Sequence, residues 1–320
     1  MSLKHQIIRK YITDNGAIYK NLDISYEVFG PKINTAPIVL VNHALTGNSD
    51  VISKSKGWWK ELIGNKKLID TNRYTIIAIN IVGNGYGNEL IDNYKDFTTK
   101  DIARIYFTIL QNLNINKLHS IIGGSLGGGI AWEMAVLYPK LANYIIPIAS
   151  DWKSSDWIIG HNYVQENILL NSKAPLQDAR EMAMLFYRTP SSFTQKFDRT
   201  RTDDNKCFNV ESWLKHHGEK LKARFDVKSY LMMNNLLTTI NILQEGKTIN
   251  ETLASIKSKI IQIAVNSDLF FVAKENIQTK KILDELNISN EYHEIKSEDG
   301  HDAFLIEHEQ ISIFLNPIFN

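Results

Sequence analysis

The reading turns on residues 118–138, LHSIIGGSLGGGIAWEMAVLY. Leu118 to Ile122 is a short β-branched run of the kind buried in a sheet, and Gly127 to Tyr138, closed by Pro139, has the length and content of a helix. Between them Gly123, Gly124, Ser125, Leu126 and Gly127 spell G-x-S-x-G in the strand-turn-helix setting which that motif requires. The spacing has a chemical reason. A nucleophilic serine must sit on a tight, strained turn above the sheet, small neighbours let the backbone bend there, and the helix behind presents its positive end to developing negative charge. For these five residues alone, a glycine-rich turn with an incidental serine is an equally ordinary structure, so the rest of the chain has to decide.

Working outward, further buried-strand runs occur at Ala36–Val41, Tyr74–Ile81 and Tyr144–Ala149, with a helix between them at Thr99–Leu113. This β-α alternation predicts an α/β fold with a mostly parallel sheet covered on both faces. From about Asp151 to Ser255 no strand pattern appears and long helix formers dominate. Strand character returns at Ile260–Val265, followed by a helix at Ala273–Leu286 and a strand at Glu291–Lys296. The expectation is a core of residues 1–150 and 256–320, with residues 151–255 inserted as a helical lid.

A serine at its ordinary pKa is a poor nucleophile and needs a histidine base oriented by an acid. His301 lies in a loop just after the final strand, and Asp268 lies in the loop after Ile260–Val265. The order Ser125, Asp268, His301 is that of the α/β-hydrolase fold, and each member follows the C-terminal end of an expected strand. Asp151, just after the strand ending at Ala149, is the alternative acid. Oxyanion stabilisation needs two backbone N–H donors. Leu126, the residue after the nucleophile, is the first candidate, and Leu45, in the loop after the strand ending at Val41, is the second. His43 in that same loop is either a packing residue or a base.

Other features point away from other chemistries. Gly83, Gly85 and Gly87 are spaced G-x-G-x-G without a helix behind them, which does not make a dinucleotide site. His216 and His217 lack metal-ligand spacing, and Cys207 lacks a nucleophile's setting, so no metal is expected. With 36 Lys+Arg against 35 Asp+Glu, a net charge of +1 gives no field favouring nucleic acid. One cysteine excludes an internal disulfide and fits a reducing, cytoplasmic setting. The N-terminus has no apolar signal region, and the most apolar stretch, Ser120–Tyr138, is broken by glycines and Glu133, so no membrane span is expected.

Several strings carry a closer resemblance: His43–Gly47 (HALTG), Gly57 to Trp59, Asn80 to Gly83 with Tyr86 and Gly87, Gly123–Gly128 (GGSLGG), Tyr187 with Arg188, Arg224 to Asp226, Asn266 to Asp268, and Gly300–Phe304 (GHDAF). With them the chain resembles the homoserine O-acetyltransferases and related homoserine or serine O-acyltransferases over nearly its whole length. The resemblance implies ping-pong transfer of an acetyl group from acetyl-CoA, a co-substrate and no permanent cofactor, to L-homoserine in methionine biosynthesis. It implies that Ser125 takes the acyl group, His301 acts as base and Asp268 holds His301. It further implies that Arg188 binds the acceptor's carboxylate, that Asp302 binds its ammonium, and that the protein is a homodimer through lid helices, for which the apolar run Tyr230 to Leu243 is suited. No particular lysine is assigned to the phosphates of CoA, although Lys54, Lys56 and Lys153 lie in loops that could approach the entrance. Departures touch the pocket: a short loop after Gly87, Gly127-Gly-Gly-Ile130 after the nucleophile, and Thr238-Thr-Ile-Asn241 at the end of the lid. Succinyl as donor group, serine as acceptor, an esterase or thioesterase on the same triad, and a silent scaffold remain the competing readings.

Overall fold

The computed structural model describes residues 3–54 and 57–320, so Lys56 lies outside the described residues. The strands are β1 (Lys4–Ile12), β2 (Ile18–Phe29), β3 (Ile38–Asn42), β4 (Ile63–Gly64), β5 (Ile69–Asp70), β6 (Thr75–Ile79), β7 (Leu118–Gly124), β8 (Ala142–Ile148), β9 (Lys259–Val265) and β10 (Asn290–Ile295). β4 and β5 form a small separate ladder. The others make an eight-stranded sheet in the order β1-β2-β6-β3-β7-β8-β9-β10. From β6 to β10 neighbouring strands are parallel. The β1–β2 hairpin joins that parallel set antiparallel, through β2 against β6.

The parallel strands are buried on both faces, which is why they read as continuous apolar runs. Side chains alternate across the sheet: Ile38 and Leu40 belong to one core cluster and Val39 and Val41 to the other, and β6 divides Ile77 and Ile79 from Ile76 and Ala78 in the same way. The first cluster is completed by α1 (Thr99–Asn112) and α2 (Leu126–Leu137), through Ile105, Ile109 and Trp132. On the other face α10 (His308–Phe319) supplies Ile311, Leu315 and Phe319. Thr98 starts α1 with a capping box closed by Asp101, which satisfies the first free N–H groups of the helix.

Between β8 and β9 the chain is helical: α3 (Asp156–Asn171), α4 (Pro175–Tyr187), α5 (Pro190–Phe197), α6 (Asn209–Lys222), α7 (Val227–Thr238) and α8 (Ile249–Leu253). α3 packs on α4 and α7, α4 packs on α6, and α4 also touches the 3₁₀ turn Gly300–Leu305 that carries His301. This helical segment thereby reaches the loops at the C-terminal ends of the strands. One expectation fails here. Tyr230, Met232, Met233, Leu236 and Leu237 are at most 1% exposed, buried in the chain's own core, so the apolar content of Tyr230 to Leu243 is not a free face for a second copy. Among the described residues, no helix is long and apolar enough to cross a membrane.

Candidate active site

Ser125 occupies the sharp turn between β7 and α2 with φ 55° and ψ −124°, a conformation that costs a side-chain-bearing residue on the order of 1–3 kcal/mol. Its surroundings hold it there. The Ser125 N–H donates to the Ile148 carbonyl of β8 at 2.9 Å. A Cβ at Gly123 would lie 2.4 Å from the Gly127 backbone, and one at Gly127 would lie 2.3 Å from the Asn42 carbonyl. Both outer glycines of the motif are therefore required by close backbone approach, with β3 pressed against the start of α2.

The loops after β7, β9 and β10 bring three residues together. The Ser125 hydroxyl reaches His301 Nε2 at 2.9 Å, and His301 Nδ1 reaches Asp268 Oδ2 at 2.7 Å. The other oxygen of Asp268 accepts from the Phe270 and Phe271 N–H groups at 2.6 and 3.0 Å. An acceptor-only carboxylate fixes the proton of His301 on Nδ1 and leaves Nε2 to receive the serine proton. All three are buried, and the imidazole lies among the rings of Tyr187, Phe270, Phe271 and Phe304. Asp151, the alternative acid, is bonded to Thr279 Oγ1 at 2.8 Å and 3.0 Å and to the Trp152 N–H instead. Burial pushes its carboxyl up to about 7.

Ser125 and His301 open on a cavity of about 60 Å³ that is also lined by Leu45, Arg180, Tyr187 and Asp302. That is room for a short acyl group and far less than a pocket for a long chain. A larger cavity of about 420 Å³ lies between residues 151–157 and α9 (Ala273–Glu285), and no member of the triad lines it. Leu45 sits in a β-turn closed by Gly47 N–H on the Ala44 carbonyl at 2.9 Å. Arg224, between α6 and α7, donates to the Thr46 carbonyl of this turn at 2.8 Å. Leu126 is the first residue of α2, where N–H groups have no partner within the helix.

Arg188, which the resemblance gives to the acceptor's carboxylate, does not line this cavity. It caps the C-terminus of α4 in extended conformation, donates through Nε to Asp302 Oδ2 at 3.1 Å, and pairs with Asp299 through Nη1. Two carboxylates satisfy it, and the cavity is lined instead by Arg180, which the sequence reading overlooked. Arg180 makes no ion pair among the described residues; its guanidinium lies 5.6 Å from the centre of the Tyr187 ring. The signal was present in the helix period, because Arg180 and Tyr187 are seven residues apart, two turns on one face of α4, whereas Arg188 follows where the helix stops. Asp302 does line the cavity, with Oδ2 held by Arg188.

A match to the α/β hydrolase fold family covers residues 37–307. The chain is 33% identical to the homoserine O-acetyltransferase of Cyclobacterium marinum over 333 residues, covering 96% of this chain and 92% of that one. It belongs to the homoserine O-acetyltransferase family. A solved homoserine O-acetyltransferase from Staphylococcus aureus superposes with a TM-score of 0.82 at 26% identity, over 100% of this chain and 95% of that one. An acetylester hydrolase from Corynebacterium glutamicum gives a TM-score of 0.85 over 99% and 96%, and at 17% identity this likeness speaks for the fold alone. The departures after Gly87 and at Thr238 to Asn241 lie outside the cavity lining, although Ile240 packs on Gly129 in the first turn behind Ser125.

Proposed function

We propose that this protein transfers an acetyl group from acetyl-CoA to the hydroxyl of L-homoserine through an acyl-Ser125 intermediate, a step of methionine biosynthesis. The observation that carries the proposal is one small cavity holding both a bonded Ser125–His301–Asp268 chain and a pair of opposite charges, Arg180 and Asp302. In the first half, Ser125 Oγ attacks the thioester carbonyl while its proton passes to His301 Nε2. The C–S bond breaks, and the proton leaves on the CoA thiol. In the second half, His301 takes the proton of the acceptor hydroxyl, the new ester forms, and the proton returns to Ser125 as its acyl bond breaks. The N–H groups of Leu45 and Leu126 receive the oxyanion of each tetrahedral intermediate.

A zwitterionic acceptor needs one cation and one anion. Arg180, without an ion pair among the described residues, has its guanidinium for the acceptor's carboxylate, and Asp302 has a second oxygen for its ammonium while Arg188 holds the first. Residues 151–255 act as the lid that keeps water from the acyl-serine, with α4 lining the cavity and Arg224 bonded to the turn that carries Leu45. A homodimer through lid helices would have the exposed α3 residues Tyr163 (66%) and Leu170 (56%) to use; a single-chain mass by light scattering at all working concentrations contradicts it.

The test is intact-mass spectrometry after a brief acetyl-CoA pulse. One acetyl group on the parent protein and none on Ser125→Ala is the expected result. No adduct on either, with CoA still released, overturns the acyl-serine step.

A further inference from the structure

Ala44 and Leu45 share one peptide plane, so whatever grips the Ala44 carbonyl also aims the Leu45 N–H, which points the opposite way across that rigid unit. Two donors grip it: Gly47 N–H at 2.9 Å and His43 Nδ1 at 2.8 Å. The far edge of the same imidazole is also occupied. His43 Nε2 accepts from the Ile81 N–H at 3.0 Å and lies 3.3 Å from Asn84 Nδ2. Since a backbone N–H can only donate, Nε2 carries no proton, and the ring proton is on Nδ1, directed at Ala44. The ring is 1% exposed, and burial lowers its pKa to about 4, so it stays neutral. Leu45 is itself buried, and its N–H has no hydrogen-bond acceptor among the described residues, although it lines the cavity beside Ser125. A buried N–H without a partner is a group waiting for one.

We propose that His43 is a positioning residue for acyl transfer: by holding the Ala44 carbonyl, its Nδ1–H keeps the Leu45 N–H turned toward the oxyanion that forms at Ser125. This rests on the acyl-serine reading and on Leu45 as an oxyanion donor, not on acetyl-CoA or homoserine as substrates. His43 neither touches the reacting atoms nor exchanges a proton with them. It acts through the peptide plane, and Asn84 and the Ile81 N–H act through it in turn.

The experiment uses the full chain and p-nitrophenyl acetate, whose acetyl group meets the same serine. An asparagine amide falls near the position of a histidine Nδ1, and a glutamine amide near that of Nε2. H43N is expected to hold kcat within about tenfold of the parent, while H43Q lowers it by about 10²-fold with KM little changed, the loss typical of one oxyanion donor. A trifluoromethyl ketone, which adds to Ser125 as an oxyanion, should lose affinity for H43Q by a similar factor. H43N as slow as H43Q, or a slow H43Q that binds the ketone like the parent, overturns the proposal. Histidine ¹⁵N shifts of the unaltered protein test it without any substitution: the Nδ1–H tautomer for His43 is expected, and the Nε2–H tautomer contradicts it. If p-nitrophenyl acetate is turned over through Ser125 and acetyl-CoA is not, the substrate reading fails while the role of His43 stands. If Ser125→Ala leaves p-nitrophenyl acetate turnover unchanged, both fail.

Discussion

His301 Nε2 stands 2.9 Å from Ser125 Oγ, although 176 residues separate the two in the chain. Only the parallel sheet, which places the loops after β7 and β10 at one end, brings them into contact. Asp268 completes the arrangement from the loop after β9. Replacing it with asparagine puts an N–H donor or a neutral carbonyl where the ionised oxygens accept from His301, Phe270 and Phe271, and it stops fixing the productive tautomer. Asp268→Asn is expected to slow single-turnover acylation of Ser125 by about 10³–10⁴-fold with the melting transition nearly unchanged. A loss below tenfold would show that His301 does not depend on Asp268.

Arg180, within α4, and Arg188, at its C-cap, separate by kinetics. Removing a charged hydrogen-bond partner of a carboxylate costs about 1.5–3 kcal/mol, or roughly 10–100-fold. Arg180→Gln is expected to raise the KM for L-homoserine in that range and to leave the KM for acetyl-CoA within about twofold. Arg188→Gln strands Asp299 and Asp302 and should lower the melting temperature first. If Arg188→Gln raises the homoserine KM more than Arg180→Gln does, the carboxylate site has been assigned to the wrong residue.

The elbow's fixed packing gives a stability prediction. In Gly127→Ala the new Cβ would meet the Asn42 carbonyl at 2.3 Å, and no flexible side chain is there to yield. Overpacking of this kind costs about 1–3 kcal/mol or more. Urea unfolding should show a loss of at least that size, together with a large fall in acylation rate. A variant as stable and as fast as the parent would mean that the β3–α2 contact is looser than described.

Glu133 on α2 supplies a pH dependence. Burial raises its carboxyl from 4.5 to about 8, and its Oε1 accepts from Thr99 Oγ1 at 2.9 Å. The folded state therefore keeps a proton that the unfolded chain releases between pH 4.5 and about 8. Stability contributed by the protonated form is complete below pH 4.5 and is lost as pH rises through 8. The slope from this one group is at most about 1.4 kcal/mol per pH unit. Glu133→Gln should flatten urea-derived stability between pH 5 and 8 relative to the parent. Parallel curves for the two proteins would show that Glu133 titrates normally.

Much of this architecture was legible in the sequence because the parallel strands are buried on both sides and stand out as apolar runs, and because G-x-S-x-G carries its own steric logic. β1 and β2 were not. β1 buries no residue fully and alternates exposed with half-buried side chains at the sheet edge, so it leaves little hydrophobic signal, and β2 is buried only from Leu22 onward. The resemblance gives the carboxylate to Arg188, but the last residue of a helix and the one after it point in different directions, and Arg180 is the arginine beside Tyr187 in the cavity lining. His43 looked like a choice between packing and base catalysis. Its two bonded edges give it a third role that no single residue string could express.

The most direct measurement follows CoA thiol release by the purified protein from acetyl-CoA, with and without L-homoserine, while mass spectrometry identifies the acetylated product. Sustained release that requires L-homoserine and yields one O-acetylhomoserine per CoA is the predicted result. Release at the same rate without the amino acid, with acetate as the product, would show that the triad serves hydrolysis and would contradict the account.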